Sequence, residues 1–304
     1  HEWSPKKKEK IAIIYAVGNI VSGKSDPGPG GSSMMGDETI VKAIKSAREN
    51  EDIKAILLRI DSGGGSALAS DQMWREVKKT TDLSSAKTEK DTSNIKPFIA
   101  SMSGVAASGG YYIACQADTI VAHPATITGS IGVIGLRFNF SKLLNKIGIR
   151  SDIIKKGEHS DFWDGSRLTT DEDRKRIQAI INDIYEKFKD RVIAGRDDMP
   201  ENANLDDVAL GRVFSGQRAK DGISIPLVDV TGTFHDAIEL TKAAAGLEGE
   251  EVEIIEYPMP EDKLKKIVKN LTTMRSVDYK SFFPEQIAEE LEVLDIIPIL
   301  LDDE

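Results

Sequence analysis

The stretch Pro97-Phe-Ile-Ala-Ser-Met-Ser-Gly-Val-Ala-Ala-Ser108-Gly-Gly-Tyr-Tyr-Ile-Ala114 decides the fold. Its first part, Pro97 to Ser101, is an apolar run of strand length, and its last part is an apolar helix that opens at Ser108. A serine at such a strand-to-helix junction can be a nucleophile. Upstream, Lys54-Ala-Ile-Leu-Leu-Arg-Ile60 has the pattern of a second buried strand and breaks into Asp61-Ser-Gly-Gly-Gly-Ser66 before another helix. A glycine loop between strand and helix can point its backbone N–H groups at an anion. The two junctions together describe a serine and an oxyanion hole.

The first half alternates strand and helix: Ile11-Ala-Ile-Ile-Tyr15, a helix over roughly Glu38 to Asn50, the Ile56 strand, and a helix from about Ala67 to Thr80. That rhythm predicts βα crossover units and a mixed αβ core. After Ser108 come Thr119-Ile-Val-Ala122, the segment Thr126 to Gly135, and a strand at Ser151-Asp-Ile-Ile154. Thr170, followed by three acidic residues, is an N-cap for a long amphipathic helix to about Ile193. Its stripe of Ile177, Ile180, Ile181, Ile184 and Phe188 is expected to pack across the core. Residues 81–94 are polar and aperiodic, as in a surface insertion. The expected organisation is one principal domain over residues 1–249 and an extension over 250–304. The extension holds a strand-like Val252-Glu-Ile-Ile255 and an amphipathic segment with Ile287, Leu291, Leu294, Ile297 and Leu300, suited to packing or an oligomer contact.

Composition narrows the partners. With 304 residues and 40% hydrophobic content the chain can bury a large core unaided. A net charge of −10 and a pI near 5.1 argue against nucleic acid or an anionic membrane surface. The short run Lys6-Lys-Lys-Glu-Lys10 reads as a solvated end. Cys115, the one cysteine, excludes an intrachain disulfide and reads as a packed small hydrophobe. Four scattered histidines without paired spacing point to no zinc site. No stretch reaches the roughly 18 to 20 apolar residues that span a bilayer, so any membrane anchor is expected on a segment preceding His1.

The series Ser62-Gly-Gly-Gly-Ser66, Ala107-Ser-Gly-Gly-Tyr-Tyr112, Thr128-Gly-Ser-Ile-Gly-Val133 and Gly211-Arg-Val-Phe-Ser-Gly216 resembles, in content and order, the motifs of the signal peptide peptidase A family. The resemblance covers roughly residues 10–245. It implies a membrane-associated serine peptidase of the ClpP/crotonase-like fold, an α/β architecture with a mixed sheet core of repeated β-β-α and βα units and helices packed outside. It also implies small apolar peptide substrates such as released signal peptides, a closed homo-oligomer, no cofactor, and a place at the cell inner membrane with the catalytic part extracytoplasmic (periplasmic). In that family the serine of the Ala-Ser-Gly-Gly motif is the nucleophile, which maps onto Ser108.

A neutral hydroxyl needs a base within hydrogen-bond reach, and the tetrahedral oxyanion needs two donors. Gly109, at a helix N-terminus, and Gly64, in the glycine loop, are the candidate donors. Short family members carry their lysine base in a Lys-Ser-Gly-x-x-Lys-Asp motif; the matching segment here is Lys155-Lys-Gly-Glu-His-Ser-Asp161, with Ser160 at the lysine's position. Long members take the lysine from a first half and the serine from a second. This chain resembles the second half, so its base is expected from an upstream half outside it.

Within the chain Lys156 and His123 are the alternative bases. Lys155 and Lys156 read as solvated at a turn. His123 lies 15 residues after Ser108 and would give a Ser–His arrangement, yet it also reads as structural before Pro124. His159 reads as a surface residue, and His235 opens a helix with no partner. Two departures from the family are local: Gly63 replaces a usual proline, and Asp221 to Asp229 forms an expanded turn. Val105, Ala106 and Ala107 suggest a narrow apolar pocket, and a peptide is expected to add as a strand to an exposed edge. Two readings from other classes stay open: a catalytically silent peptide-binding or ring-forming scaffold, and a crotonase-type acyl-CoA enzyme.

Overall fold

A strand covered on both faces loses the apolar and polar alternation of a half-exposed one. The run Ala55-Ile-Leu-Leu58 shows this, with all four residues fully buried. In the computed structural model, which describes residues 8–27, 33–85, 88, 94–196 and 204–258, the strands are β1 (Lys10–Val17), β2 (Asn19–Val21), β3 (Asp26–Pro27), β4 (Ser33–Gly36), β5 (Ile53–Ser62), β6 (Phe98–Ala107), β7 (Thr119–Ala122), β8 (Ile127–Gly129), β9 (Val213–Ser215), β10 (Val230–Thr231) and β11 (Glu253–Tyr257). The main sheet has the order β10-β7-β6-β5-β1-β11, parallel throughout. Strand β8 adds in parallel to the far end of β6 and pairs antiparallel with β9. Strands β2, β4 and β3 form a separate small sheet.

Parallel neighbours need crossovers. Helices α1 (Asp37–Glu49), α2 (Ala67–Thr81) and α3 (Gly109–Ala114) connect β4 to β5, β5 to β6 and β6 to β7. Helices α4 (Ser141–Lys146), α5 (Asp171–Gly195), α6 (Gly216–Asp221) and α7 (Phe234–Ala244) follow. One face of the sheet packs α1, α2, α3 and the end of α5 around Ile56, Leu58, Met73, Tyr111 and Phe188. The other packs α7 through Ala237 against Ile13, Leu57, Ile99 and Val121. The end of α1 is closed by Lys96, whose Nζ donates to Ala47 O at 3.0 Å and Asn50 O at 2.5 Å, the usual way a cation satisfies last-turn carbonyls.

The mixed α/β architecture is the expected one, with three differences. Residues 151–155 form no strand, and Ile153 and Ile154 are exposed. Helix α5 starts at the expected cap, where Thr170 and Asp173 form a capping box, but its stripe does not cross the core. Only Asp173, Phe188 and Val192 are buried on it, and Ile180 is 41% exposed; the amphipathic pattern is real, yet only the last third of the helix reaches the sheet. Finally, β11 lies beside β1 as an edge strand, so the compact unit runs to Pro258 and the start of the expected extension belongs to the sheet. The segment from Ile287 to Leu300, and most of the insertion after Ser85, lie outside the described residues. No helix among the described residues is long and apolar enough to cross a membrane.

Candidate active site

Both junctions singled out above meet at the carboxyl ends of β5 and β6, the edge where open parallel sheets place their ligands. Ile60 pairs with Met102 but Ser62 with Ala106, so two residues of β5 span four of β6. Such a bulge re-aims a strand end. Asp61 closes it, its Oδ1 accepting the Val105 N–H at 3.0 Å. Beyond the bulge β6 pairs with β8 and stops at Ser108.

Ser108 has φ 52° and ψ −119°, a conformation that a side chain enters only against steric cost. Its N–H donates to Gly129 O at 2.9 Å and its carbonyl accepts the Tyr112 N–H at 2.9 Å, so β8 and α3 hold the turn from both sides. Among the described residues the Ser108 hydroxyl makes no hydrogen bond. Ser130, beside Gly129, also has φ 52°. This second strained serine, in the loop that receives the Ser108 N–H, was not singled out in the sequence.

Gly64 lies directly over this turn. A Cβ there would stand 2.6 Å from Gly109 N and 2.9 Å from Ser108 Cβ, and its φ is +99°. Gly109 opens α3, where first-turn N–H groups have no intrahelical acceptor, and among the described residues its N–H has no other acceptor. The Gly64 N–H donates to Ser62 Oγ at 3.1 Å, and that hydroxyl donates to Gly18 O at 2.6 Å. An oxyanion at Gly64 must therefore share the N–H with Ser62 or displace it. The loop is stapled by Ile20 N to Gly64 O and Ser66 N to Ile20 O, both 2.9 Å. Gly64→Ala is thus expected to cost at least about 2 kcal/mol through backbone strain and overlap, read as a lower urea midpoint, and to cut Ser108 reactivity with it. An unchanged midpoint would contradict this packing.

Among the described residues none of the candidate bases hydrogen-bonds Ser108. His123 is exposed and accepts the Ala125 N–H on Nδ1 at 3.2 Å. Since Ala122 pairs with Met102, His123 is level with Ser103, and five residues of β6 at ~3.3 Å each separate that level from Ser108, roughly 16 Å. Lys156 is exposed. Lys155 Nζ donates to Glu158 O and to Asp161 Oδ1, at 3.0 and 3.1 Å. His159 Nε2 lies 3.6 Å from carboxylates of Glu158 and Glu172. One histidine with two exposed carboxylates is common on acidic surfaces and gives no metal assignment.

What organises the 155–173 segment is Arg167. It donates to Asp161 at 2.8 Å and in fork geometry to Asp173 at 2.6 and 3.0 Å, and both carboxylates are well shielded from solvent. Arg167 holds both carboxyls below their ordinary pKa, helped by Lys155 at Asp161 and by the Thr170 N–H at Asp173. Groups so depressed stabilise the segment above the unfolded carboxylate pKa of about 4 and lose that effect only as pH falls through the lower folded values. Arg167→Met is expected to move the acid-induced change in Trp163 fluorescence upward to about pH 4 or above; coincident wild-type and variant curves would refute it.

Residues 131–140 carry no helix or strand, and Gly135 lies against Ile181 of α5. Arg137 donates to Asp164 O and Thr169 Oγ1, and the exposed Asn139 donates to Arg167 O. Ile134, Leu136, Phe138 and Phe140 face out, 49 to 93% exposed. These four side chains form an exposed apolar row.

The comparisons bear on the same region. A profile of peptidase family S49 matches residues 90–248. The chain is 37% identical over 266 residues to the chloroplastic serine protease SPPA of Arabidopsis thaliana, covering 87% of this chain and 37% of that one. It is 33% identical over 285 residues to a putative protease of Synechocystis, covering 90% and 92%, and 36% identical over 228 residues to Protease 4 of Salmonella typhi, covering 75% and 33%. The chain thus spans about a third of the chloroplastic and Salmonella relatives and nearly all of the Synechocystis one.

Proposed function

The chain belongs to peptidase family S49, among proteins of the signal peptide peptidase A type, and from that premise we propose that it hydrolyses peptide bonds through an acyl-enzyme on Ser108. The observation that carries the reading is the juxtaposition of the strained Ser108 turn with the glycine loop, Gly64 backbone on Gly109 N–H. A base takes the Oγ proton as Oγ adds to the scissile carbonyl. The oxyanion lies at the Gly109 N–H, with Gly64 as second donor. Collapse expels the amine, which takes the proton from the base, and water then hydrolyses the ester by the same sequence.

The base is a lysine supplied from outside this chain, by an upstream half of the natural protein. The distance of His123 and the solvation of Lys156 support that assignment. Substrates are small apolar peptides such as cleaved signal peptides; they add as a strand beside the glycine loop, with Val105, Ala106 and Ala107 near the nucleophile. The outward row Ile134, Leu136, Phe138 and Phe140 is a contact with a second copy in a homo-oligomer. Anchoring at the inner membrane, with the catalytic part extracytoplasmic, falls to a segment not in this chain.

The test is a fluorophosphonate probe followed by mass spectrometry of the adduct, with the chain alone and joined to its natural upstream segment. Adduct on Ser108, faster in the joined form, is the expected result. Adduct on another serine sinks the proposal. A second reading is favoured by one observation, the absence of a base at the Ser108 hydroxyl among the described residues. It is the silent peptide-binding scaffold, and it predicts no adduct in either form.

A further inference from the structure

We propose that the cavity beside Arg59, on the α7 face of the sheet, is a binding site for a small aliphatic carboxylate, separate from Ser108 and independent of the peptidase reading. The cavity measures about 350 Å³. Arg59 rises from β5 and reaches over β6, where Nη1 donates to Ser101 Oγ at 2.8 Å and Met102 O at 3.2 Å and Nη2 to Ser103 Oγ at 3.0 Å. Its guanidinium lies 4.7 Å from the centroid of the Phe234 ring. A guanidinium has five donor hydrogens, so these bonds leave donors over, and every partner is neutral.

Arg137 and Arg212 likewise bond only neutral groups, but other arginines do not. Arg48, Arg167 and Arg191 each hold a carboxylate, at 2.7, 2.6 and 3.2 Å, and Arg196 holds Asp229. Among the described residues Arg59 has no such ion pair. The carboxylate that acts on it, Asp61, is occupied, accepting the Val105 N–H. Burial pulls the Arg59 guanidinium down from its ordinary pKa, with Asp61 and Tyr15 opposing, as for a cation whose charge is incompletely matched.

An anionic ligand supplies a matching charge at the two donors left over. His123 stands at the rim, where its Nδ1 accepts the Ala125 N–H. One guanidinium balances one negative charge, and Asp61 penalises a dianion. Ala125 and Phe234 supply the apolar part of the wall, Met102 lending only its carbonyl. Together these select a monoanionic carboxylate with a short aliphatic tail, the chemistry of a peptide's last residue, over inorganic phosphate.

The test titrates the full chain with N-acetylalanine, N-acetylalanine amide and inorganic phosphate by calorimetry. The acid is expected to bind saturably, at least tenfold tighter than the amide or phosphate, equally in Ser108→Ala, and at least tenfold more weakly in Arg59→Gln. Gly104→Leu is the second variant. Gly104 lines the cavity and a Cβ there meets nothing closer than Asp61 Oδ1 at 3.5 Å, so the side chain fills the space while Arg59 stays, and the tenfold loss must appear there too. Amide or phosphate binding as tight as the acid, unchanged acid binding in either folded variant, or loss in Ser108→Ala would each overturn the proposal.

Discussion

Ser108→Gly is expected to abolish fluorophosphonate labelling while leaving the protein more stable than Ser108→Ala by about 1 kcal/mol. The hydroxyl is the only atom of the turn able to become an ester, so either substitution removes the covalent step and reduces peptide hydrolysis by a factor of at least about 10³. Stability separates them. A non-glycine residue at φ 52° and ψ −119° carries strain, of order 1–3 kcal/mol, which alanine keeps and glycine sheds. Glycine gives back roughly 0.5–1 kcal/mol through the entropy of the unfolded chain. The net sign still favours glycine, and urea midpoints of the two variants measure it. A nucleophile that costs stability where it stands is what a functional turn looks like. Equal midpoints would mean that Ser108 sits there without strain, and labelling that survives either change would assign the chemistry to another residue.

Much of this was legible in the chain because it rests on local patterns. The buried run Ala55 to Leu58, the apolar stretch from Phe98, and the glycines at 63–65 and 109–110 fix two strand-turn-helix junctions, and parallel pairing of β5 with β6 brings them together. Thr170 and Asp173 announced the start of α5. What sequence could not give was pairing register. Asp61 and Ser62 read as loop formers, yet they close a bulge and hold Gly64, roles that exist only once β6 has two extra residues opposite them. Ser130 gained its place in the same way, through β8.

The errors have a common origin in surfaces that mimic interiors. Ile177, Ile180, Ile181 and Ile184 form a helical stripe, and Ile153 with Ile154 a strand-like pair, but periodicity says only that an apolar face exists, not which element covers it. In this chain residues 134–154 and the first two thirds of α5 share that surplus. The charged cluster of Arg167 with Asp161 and Asp173, rather than apolar burial, holds the segment between them in place.

Ser160→Lys is expected to raise the rate of Ser108 labelling by about 10²- to 10⁴-fold, the range a well-placed general base contributes. Position 160 adjoins Asp161, which Lys155 and Arg167 hold, and its own hydroxyl donates to Gly157 O at 3.1 Å. A lysine there therefore starts from a fixed backbone, at the place where the family resemblance puts the catalytic lysine. The rate should rise with pH as the amine loses its proton, and desolvation at an apolar active site lowers the pH at which it does so. His159→Lys, one position away, points another way and should give no gain; the double variant with Ser108→Ala should give no labelling. Dependence of the gain on protein concentration tells whether residue 160 serves its own chain or a neighbouring copy. A lysine at this position that leaves the rate unchanged at every concentration would remove the argument that Ser160 marks the lost base, and with it the reason for seeking that base upstream.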